Sequence, residues 1–226
     1  MRLIHPIFFI ALGLFGLCTI EFGVVGLMPE IMDRFQVSEA RAGQLTGIFA
    51  LVVAVCGPVL VLIFSRFDRK NILLIALAFF TISSFASAFI TDFNMLLLVR
   101  MVPALFHPVY FSLAFVSAMA LYPADQAPRA ASHAFLGTSI GIVLGVPITS
   151  WIGTNMSYES AFYFTALANL VALLGVLFML PKMERVTQGS TKSQLKILKK
   201  PTLWLNIAST GLIFGGMFAV YTFVAE

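Results

Sequence analysis

Charged residues are scarce in this sequence of 226 residues. They make up 11% of the chain, against 60% hydrophobic residues, and the mean hydropathy is +0.98. Ordinary globular domains carry roughly 25% charged residues, so this composition excludes a water-soluble fold and predicts an all-α integral membrane protein. Seven apolar runs are each near or above the ~20 residues that a helix needs to cross a bilayer. The runs are Pro6 to Ile31, Ala42 to Phe64, Ile72 to Thr91, Met95 to Leu121, Ala131 to Trp151, Ser160 to Leu180, and Thr202 to Ala225.

Cysteine is nearly absent as well. Cys18 and Cys56 are the only two, and both lie inside apolar runs without the spacing of a metal site. We expect them to be small packing residues, and we expect neither a metal nor a cofactor in this chain.

The last apolar run, Thr202 to Ala225, has no lysine. A retinal protein needs a lysine in its last helix, so this absence argues against the first alternative, a seven-helix photoreceptor or receptor.

Lysine and arginine are distributed unevenly between the predicted loops. With the N-terminus inside, eleven of them are cytoplasmic, two are outside, and Arg100 lies within a span. Cytoplasmic loops are enriched in these residues, so we predict a cytoplasmic N-terminus. The net charge of +4 then reflects topology and anionic headgroups, and nucleic acid is not an expected partner.

One long loop divides the chain. Residues 181–201 are polar and basic, whereas the other loops are short. We predict a six-helix bundle over residues 1–180, a basic cytoplasmic linker over 181–201, and the first helix of a truncated second bundle over 202–226. A complete seven-helix protein is the alternative to this fragment. Six spans divide into two sets of three that enter the membrane from opposite sides, the inverted-repeat construction of secondary transporters.

Three ionisable side chains lie deep within predicted spans. Glu21 is ~15 Å below the outer surface on the first span, and Arg100 and His107 are ~9 and ~20 Å deep on nearly one face of the fourth. If these spans are neighbours, the three residues share one polar layer. An unpaired carboxylate in hydrocarbon is costly, so we predict that Glu21 faces a cavity and exchanges protons. The alternative is a structural ion pair between Glu21 and Arg100, with His107 a packed core histidine.

Glycine spacing predicts close helix packing. Gly137, Gly141 and Gly145 recur every four residues in the fifth span, so one helix face has no side chains, and Pro147 then invites a bend. Four glycines of the first span gather on the side of that helix away from Glu21. They are Gly13, Gly16, Gly23 and Gly26.

The fifth span also contains a nucleophile pattern of serine hydrolases, Gly137-Thr-Ser-Ile-Gly141. It raises the second alternative, an intramembrane hydrolase built on Ser139 with His107 or His133. The pattern requires a strand-to-helix elbow, and here it lies inside a predicted helix, so we treat it as a chance match and predict no enzyme.

Several stretches resemble motifs of the major facilitator superfamily. "GPVLVLIFSRFDRKNIL" is similar to that family's loop motif between the second and third helices, although Ser65 replaces the usual aspartate and Asp68 the usual glycine. "LLLVRMVPALFHP" resembles the fourth-helix motif, and "GIVLGVPITSWIG" resembles the fifth-helix motif associated with proton-driven antiporters. "EFGVVGLMPEI" and "AGQLTGIFALVVAVCGP" look like the first two helices of the drug and sugar efflux branch, the arabinose-efflux-permease type. Tyr158-Glu159 stands where that branch often has Trp-Arg.

The resemblance implies two six-helix bundles with the substrate between them, of which this chain would be the first bundle, the linker and the start of the second. It implies proton-coupled efflux of a drug, sugar or metabolite across the bacterial inner membrane. The expected partners are the lipid bilayer, a small-molecule substrate, protons and the missing C-terminal half. Phe106, Tyr110 and Phe111 are candidates for lining the substrate cavity, although they would equally suit a lipid-facing surface. The residues with an expected conformational role are Arg66, Asp68, Arg69, Lys70, Gly137, Gly141, Gly145 and Pro147.

Overall fold

The structure is a computed structural model, and it describes residues 4–183 and 200–224. The chain separates into two units, Met1–Arg185 and Val186–Glu226. The first unit contains α1 (Ile4–Gly26), α2 (Met28–Phe35), α3 (Glu39–Ala42), α4 (Gln44–Phe64), α5 (Arg69–Ser87), α6 (Phe93–Ala120), α7 (Ala127–Ile140), α8 (Val146–Asn155) and α9 (Tyr158–Met179). A short 3₁₀ turn, Ala124–Gln126, precedes α7, and a π-helical turn, Gly141–Gly145, joins α7 to α8.

Six segments of the described chain are long and apolar enough to cross a membrane, which confirms the predicted all-helical membrane fold. The second unit contributes α10 (Pro201–Val224), a helix of 24 residues whose crossing of a membrane stays a prediction. Most of the predicted basic linker lies outside the described residues. The six segments are Pro6–Gly26, Glu39–Phe64, Arg69–Ser87, Phe93–Ala120, Ala124–Asn155 and Tyr158–Met179.

The first span ends earlier than the sequence predicted. The apolar run extends to Ile31, but α1 stops at Gly26, and α2 begins after Leu27 with Pro29 in its first turn. Proline has no backbone N–H and its ring crowds the carbonyl four residues earlier, so it favours a helix break here, although α4 and α6 continue through internal prolines. The amphipathic α2 is then held to α9, because Arg34 forms an ion pair with Glu159.

The fifth span changes helix type where the sequence places a proline. The π-helical turn Gly141–Gly145 comes directly before Pro147, which is in the first turn of α8. Pro147 cannot donate to the carbonyl four residues earlier, and a wider turn relieves the clash between its ring and that carbonyl. The proline thus divides the predicted span into α7 and α8.

Helix α1 lies at the centre of the bundle. It packs against α7, α8 and α9 and also contacts α4, α5 and α6, while α5 packs against α6 and α9. The side chains of Ile10, Leu14, Leu77 and Tyr110 are fully buried where these helices meet. Large apolar side chains on the outside of the bundle are exposed, among them Phe178 of α9, as expected of a surface that faces lipid.

The glycine face of the fifth span is in contact with α1. A β-carbon at Gly137 would overlap the backbone of Ala11, and one at Gly141 would come within 2.9 Å of the Phe15 carbonyl oxygen. The two backbones therefore approach more closely than any other residue would allow at these positions.

Asp68 begins α5 as its N-cap, because its Oδ1 accepts a hydrogen bond from the Asn71 amide at 3.0 Å. We expect Asp68→Ala to lower the free energy of unfolding by about 1 kcal/mol, and Asp68→Ser to retain most of it. Thermal or denaturant unfolding in detergent measures both. Asp125→Ala changes an exposed aspartate that caps no long helix, so it is the control. Equal losses from Asp68→Ala and Asp125→Ala would contradict the capping role.

Candidate functional site

Glu21 on α1 and His107 on α6 contact each other inside the bundle, and the contact is an ion pair when His107 carries a proton. Glu21 Oε2 and His107 Nε2 are 2.9 Å apart, although the ring N–H is not aligned well enough for a hydrogen bond. The Glu21 side chain is 20% exposed and that of His107 is 12% exposed. Both side chains are thus largely, but not completely, buried within this bundle. Carboxylate and imidazole groups inside membrane bundles commonly serve as proton relays.

Aromatic rings surround the imidazole of His107. Phe49 of α4 meets it edge-on with ring centres 5.7 Å apart, and Phe111, one turn further along α6, is nearly parallel to it at 6.3 Å. These apolar rings replace water around the pair and so strengthen the electrostatic interaction between its members. Sequence reasoning missed Phe49, because nothing in the apolar run of α4 distinguishes one phenylalanine from another.

Arg100 lies close to this pair but bonds to the backbone. It is 4% exposed, its Nη2 donates to the Ile20 carbonyl oxygen at 3.0 Å, and its guanidinium carbon lies 5.6 Å from the centre of the Phe49 ring. Within the described part of the chain, no ion pair involves Arg100. The structure therefore places Glu21, Arg100 and His107 together, but the partner of Glu21 is His107, and the alternative Glu21–Arg100 ion pair is not formed.

The three aromatic residues expected to line a cavity lie in different surroundings. Phe111 stacks on His107, as described above. Phe106 is half-buried and stacks on Phe79 of α5 with ring centres 4.7 Å apart. Tyr110 is completely buried, and its hydroxyl donates to the Ile10 carbonyl oxygen at 3.3 Å. Tyr110 thus packs between α6 and α1 in this structure, and its role in lining a cavity stays a prediction.

The first turn of α5 is tied to the end of the sixth span. Lys70 Nζ donates to the Leu180 carbonyl oxygen at 2.5 Å, directly after α9 ends. A cation at this position satisfies a terminal carbonyl and complements the negative end of the helix dipole. Arg69 is 8% exposed, whereas Arg66 is exposed. Their conformational role stays a prediction.

An apolar pocket of about 620 Å³ lies between α1 and α7. Its wall includes Phe8, Phe15 and Leu136, with His133 and Tyr122 as the polar contributors.

Ser139 lies within the regular helix α7, and the described residues contain no strand, so the strand-to-helix elbow of a serine hydrolase is not formed there. Among the described residues, no group of three His, Cys, Asp or Glu side chains could hold a metal ion.

Comparison with known proteins identifies the family. Residues 10–226 match the Major Facilitator Superfamily. The chain is 30% identical over 225 residues to the inner membrane transport protein YdhP of Escherichia coli (strain K12), covering 100% of this chain and 58% of that protein. It is 27% identical to the putative transporter AraJ of the same organism, with 95% and 55% covered. It is 32% identical to a chloramphenicol resistance protein of Streptomyces lividans, with 97% and 57% covered.

Solved structures support the same fold. A crystal structure of the peptide transporter POT in complex with sulfate superposes with a TM-score of 0.71 at 15% identity, covering 97% of this chain and 48% of that one. A bacterial homologue of the human lysosomal transporter Spinster gives 0.67 at 17% identity, with 90% and 50% covered. The chain spans about half the length of the relatives that it matches. With its six membrane-spanning segments, it is a multi-pass inner membrane protein that belongs to the Major Facilitator Superfamily of transporters.

Proposed function

We propose that this chain forms the first bundle of an exporter that couples the efflux of a small molecule to proton entry. The observation that carries the proposal is the ion pair between Glu21 and His107, two ionisable groups that lie inside a membrane bundle and are still partly exposed. Ionisable groups at such depth are costly, and they mark ion and substrate pathways by default.

The chemistry of the pair supports alternating access. When the Glu21 carboxylate binds a proton, it loses its negative charge. The attraction of Glu21 to His107 and to the nearby Arg100 is then lost. The weakened contact between α1 and α6 favours a different arrangement of the helices, in which the proton is released to the other side. A membrane potential supplies about 2.3 kcal/mol per elementary charge per 100 mV, which is enough for one proton per cycle to drive substantial accumulation.

The proposal also includes a second helical bundle. The relatives are nearly twice as long as the stretch they share with this chain, and in their family two bundles enclose the substrate. We infer that a second bundle completes the cavity, that α10 is its first helix, and that the N-terminus is cytoplasmic. The Streptomyces lividans relative is a chloramphenicol resistance protein, so an amphipathic drug is the first cargo to test, followed by sugars and other metabolites.

Proteoliposomes that contain the full-length gene product test this function. With an imposed pH gradient, we expect a transported compound to accumulate, and we expect a pH-sensitive dye to report proton movement when that compound is added. A protonophore that collapses the gradient should stop accumulation, whereas replacement of sodium by choline should not. Accumulation that survives the protonophore, or that requires sodium, would contradict proton coupling.

A further inference from the structure

A second, much smaller cavity lies inside the bundle beside Arg100. Its volume of about 10 Å³ corresponds to roughly one water molecule. It is separate from the partly exposed pair of Glu21 and His107, neither of which lines it. The polar residues around it are Thr19, Ser83, Ser84, Ser87, Arg100, Thr149 and Thr165.

Two polar groups at this cavity make no hydrogen bond to the described protein, and one of them is fully buried. Arg100 Nε makes no hydrogen bond, although the side chain is 4% exposed. The Ser84 hydroxyl also makes no hydrogen bond in the described part of the chain; the side chain is 4% exposed, and its oxygen is not one of the fully buried unpaired atoms. Leaving one such group without a partner costs ~1–3 kcal/mol, and more for a charged group. Two unpaired groups at one cavity therefore point to an occupant that bonds to both.

The hydrogen bonds of the other hydroxyl groups indicate whether that occupant is an anion or a water molecule. Thr19 donates to the Phe15 carbonyl oxygen at 2.8 Å, and Thr165 to that of Phe162 at 2.9 Å. A carbonyl oxygen only accepts, so each hydroxyl has already used its proton and can offer the cavity only lone pairs. Ser87 and Thr149 donate to carbonyl oxygens in the same way. An anion here would face lone pairs, whereas a water molecule can accept from Arg100 and donate to the hydroxyl oxygens.

We propose that the cavity is a binding site for one water molecule, which accepts a hydrogen bond from Arg100 Nε and bonds to the Ser84 hydroxyl. The water lets a charged guanidinium remain inside the bundle without a carboxylate contact. Glu21 is then left with His107 as its partner, and Arg100 positions the backbone of α1 through Ile20.

Radiolytic hydroxyl labelling of the full-length protein in lipid nanodiscs, with ¹⁸O-labelled water, tests this site. Radicals form where water is bound, so Leu27 and Phe162 should be oxidised, since both line the cavity although they are 2% and 5% exposed. Phe80 and Tyr110 are equally buried, at 1% and 0% exposed, but lie in the apolar core and should remain several-fold less labelled. Equal, background labelling at all four residues would overturn the proposal.

Ser84→Val fills the cavity with a methyl group and removes one partner of the water. Labelling of Leu27 and Phe162 should fall to the level of Phe80. Thr81→Val is the matched control on the same helix, because the Thr81 hydroxyl bonds to the Leu77 carbonyl oxygen and does not line the cavity. Unchanged labelling in Ser84→Val would overturn the proposal. So would a thermal stability that rises with chloride at constant ionic strength in the unaltered protein and in Thr81→Val but not in Ser84→Val, because that result would assign the cavity to an anion.

Discussion

Glu21→Gln is expected to abolish proton-coupled efflux by the full-length protein while leaving its fold intact. Glutamine has nearly the same shape as glutamate and can still contact His107, but its amide group cannot gain or lose a proton under the conditions of a transport assay. The partly exposed position of the side chain makes the change tolerable for packing. Accumulation of a transported compound in proteoliposomes, with and without a pH gradient, measures the effect. We expect gradient-driven accumulation to fall to that of protein-free vesicles.

The matched control is Glu39→Gln, which changes an exposed glutamate at the start of α3. It should leave both transport and melting temperature unchanged. If Glu21→Gln still accumulates cargo in response to the gradient, this carboxylate is not the coupling group. If instead the variant fails to melt cooperatively, the ion pair with His107 is needed for folding, and the functional role assigned to Glu21 would lose its support.

Gly137→Ala, which adds one methyl group, is expected to cause a large loss of stability. The new β-carbon would overlap the carbonyl group and α-carbon of Ala11, which belong to the backbone and cannot rotate away. Helices α1 and α7 would have to separate, and overpacking of this kind costs about 1–3 kcal/mol or more. Thermal unfolding in detergent, followed by the fraction that remains monodisperse, measures the loss.

Gly47→Ala provides the comparison, because it makes the same chemical change in α4 at a position with no neighbouring atom within 4 Å. Alanine favours a helix over glycine by up to about 1 kcal/mol, so this variant should be neutral or slightly more stable. A similar destabilisation by both substitutions would show that the loss follows from helix propensity and not from contact between α1 and α7.

The positions of the spans could be predicted because hydrocarbon imposes a simple requirement. Every backbone polar group must bond within its own segment, so each apolar run becomes a helix, and run length alone locates it. The exceptions came from proline. Pro29 and Pro147 were both visible in the sequence, but whether a proline breaks a helix, as at Leu27, or widens one turn, as at Gly141–Gly145, depends on what the neighbouring helices can accommodate.

For the candidate site, the sequence predicted only the depth of the ionisable residues in the membrane and not their partners. Helical rise placed Glu21, Arg100 and His107 in one layer, but it could not assign partners, because a partner depends on which faces of α1 and α6 meet. The sequence by itself determined a helical membrane protein, a glycine face for close packing and three ionisable groups near one depth. Only the tertiary structure joined Glu21 to His107, turned Arg100 to the Ile20 carbonyl and buried Tyr110. The physical reason is that hydrophobicity acts on each segment separately, whereas ion pairs and hydrogen bonds require two segments at a fixed distance and angle.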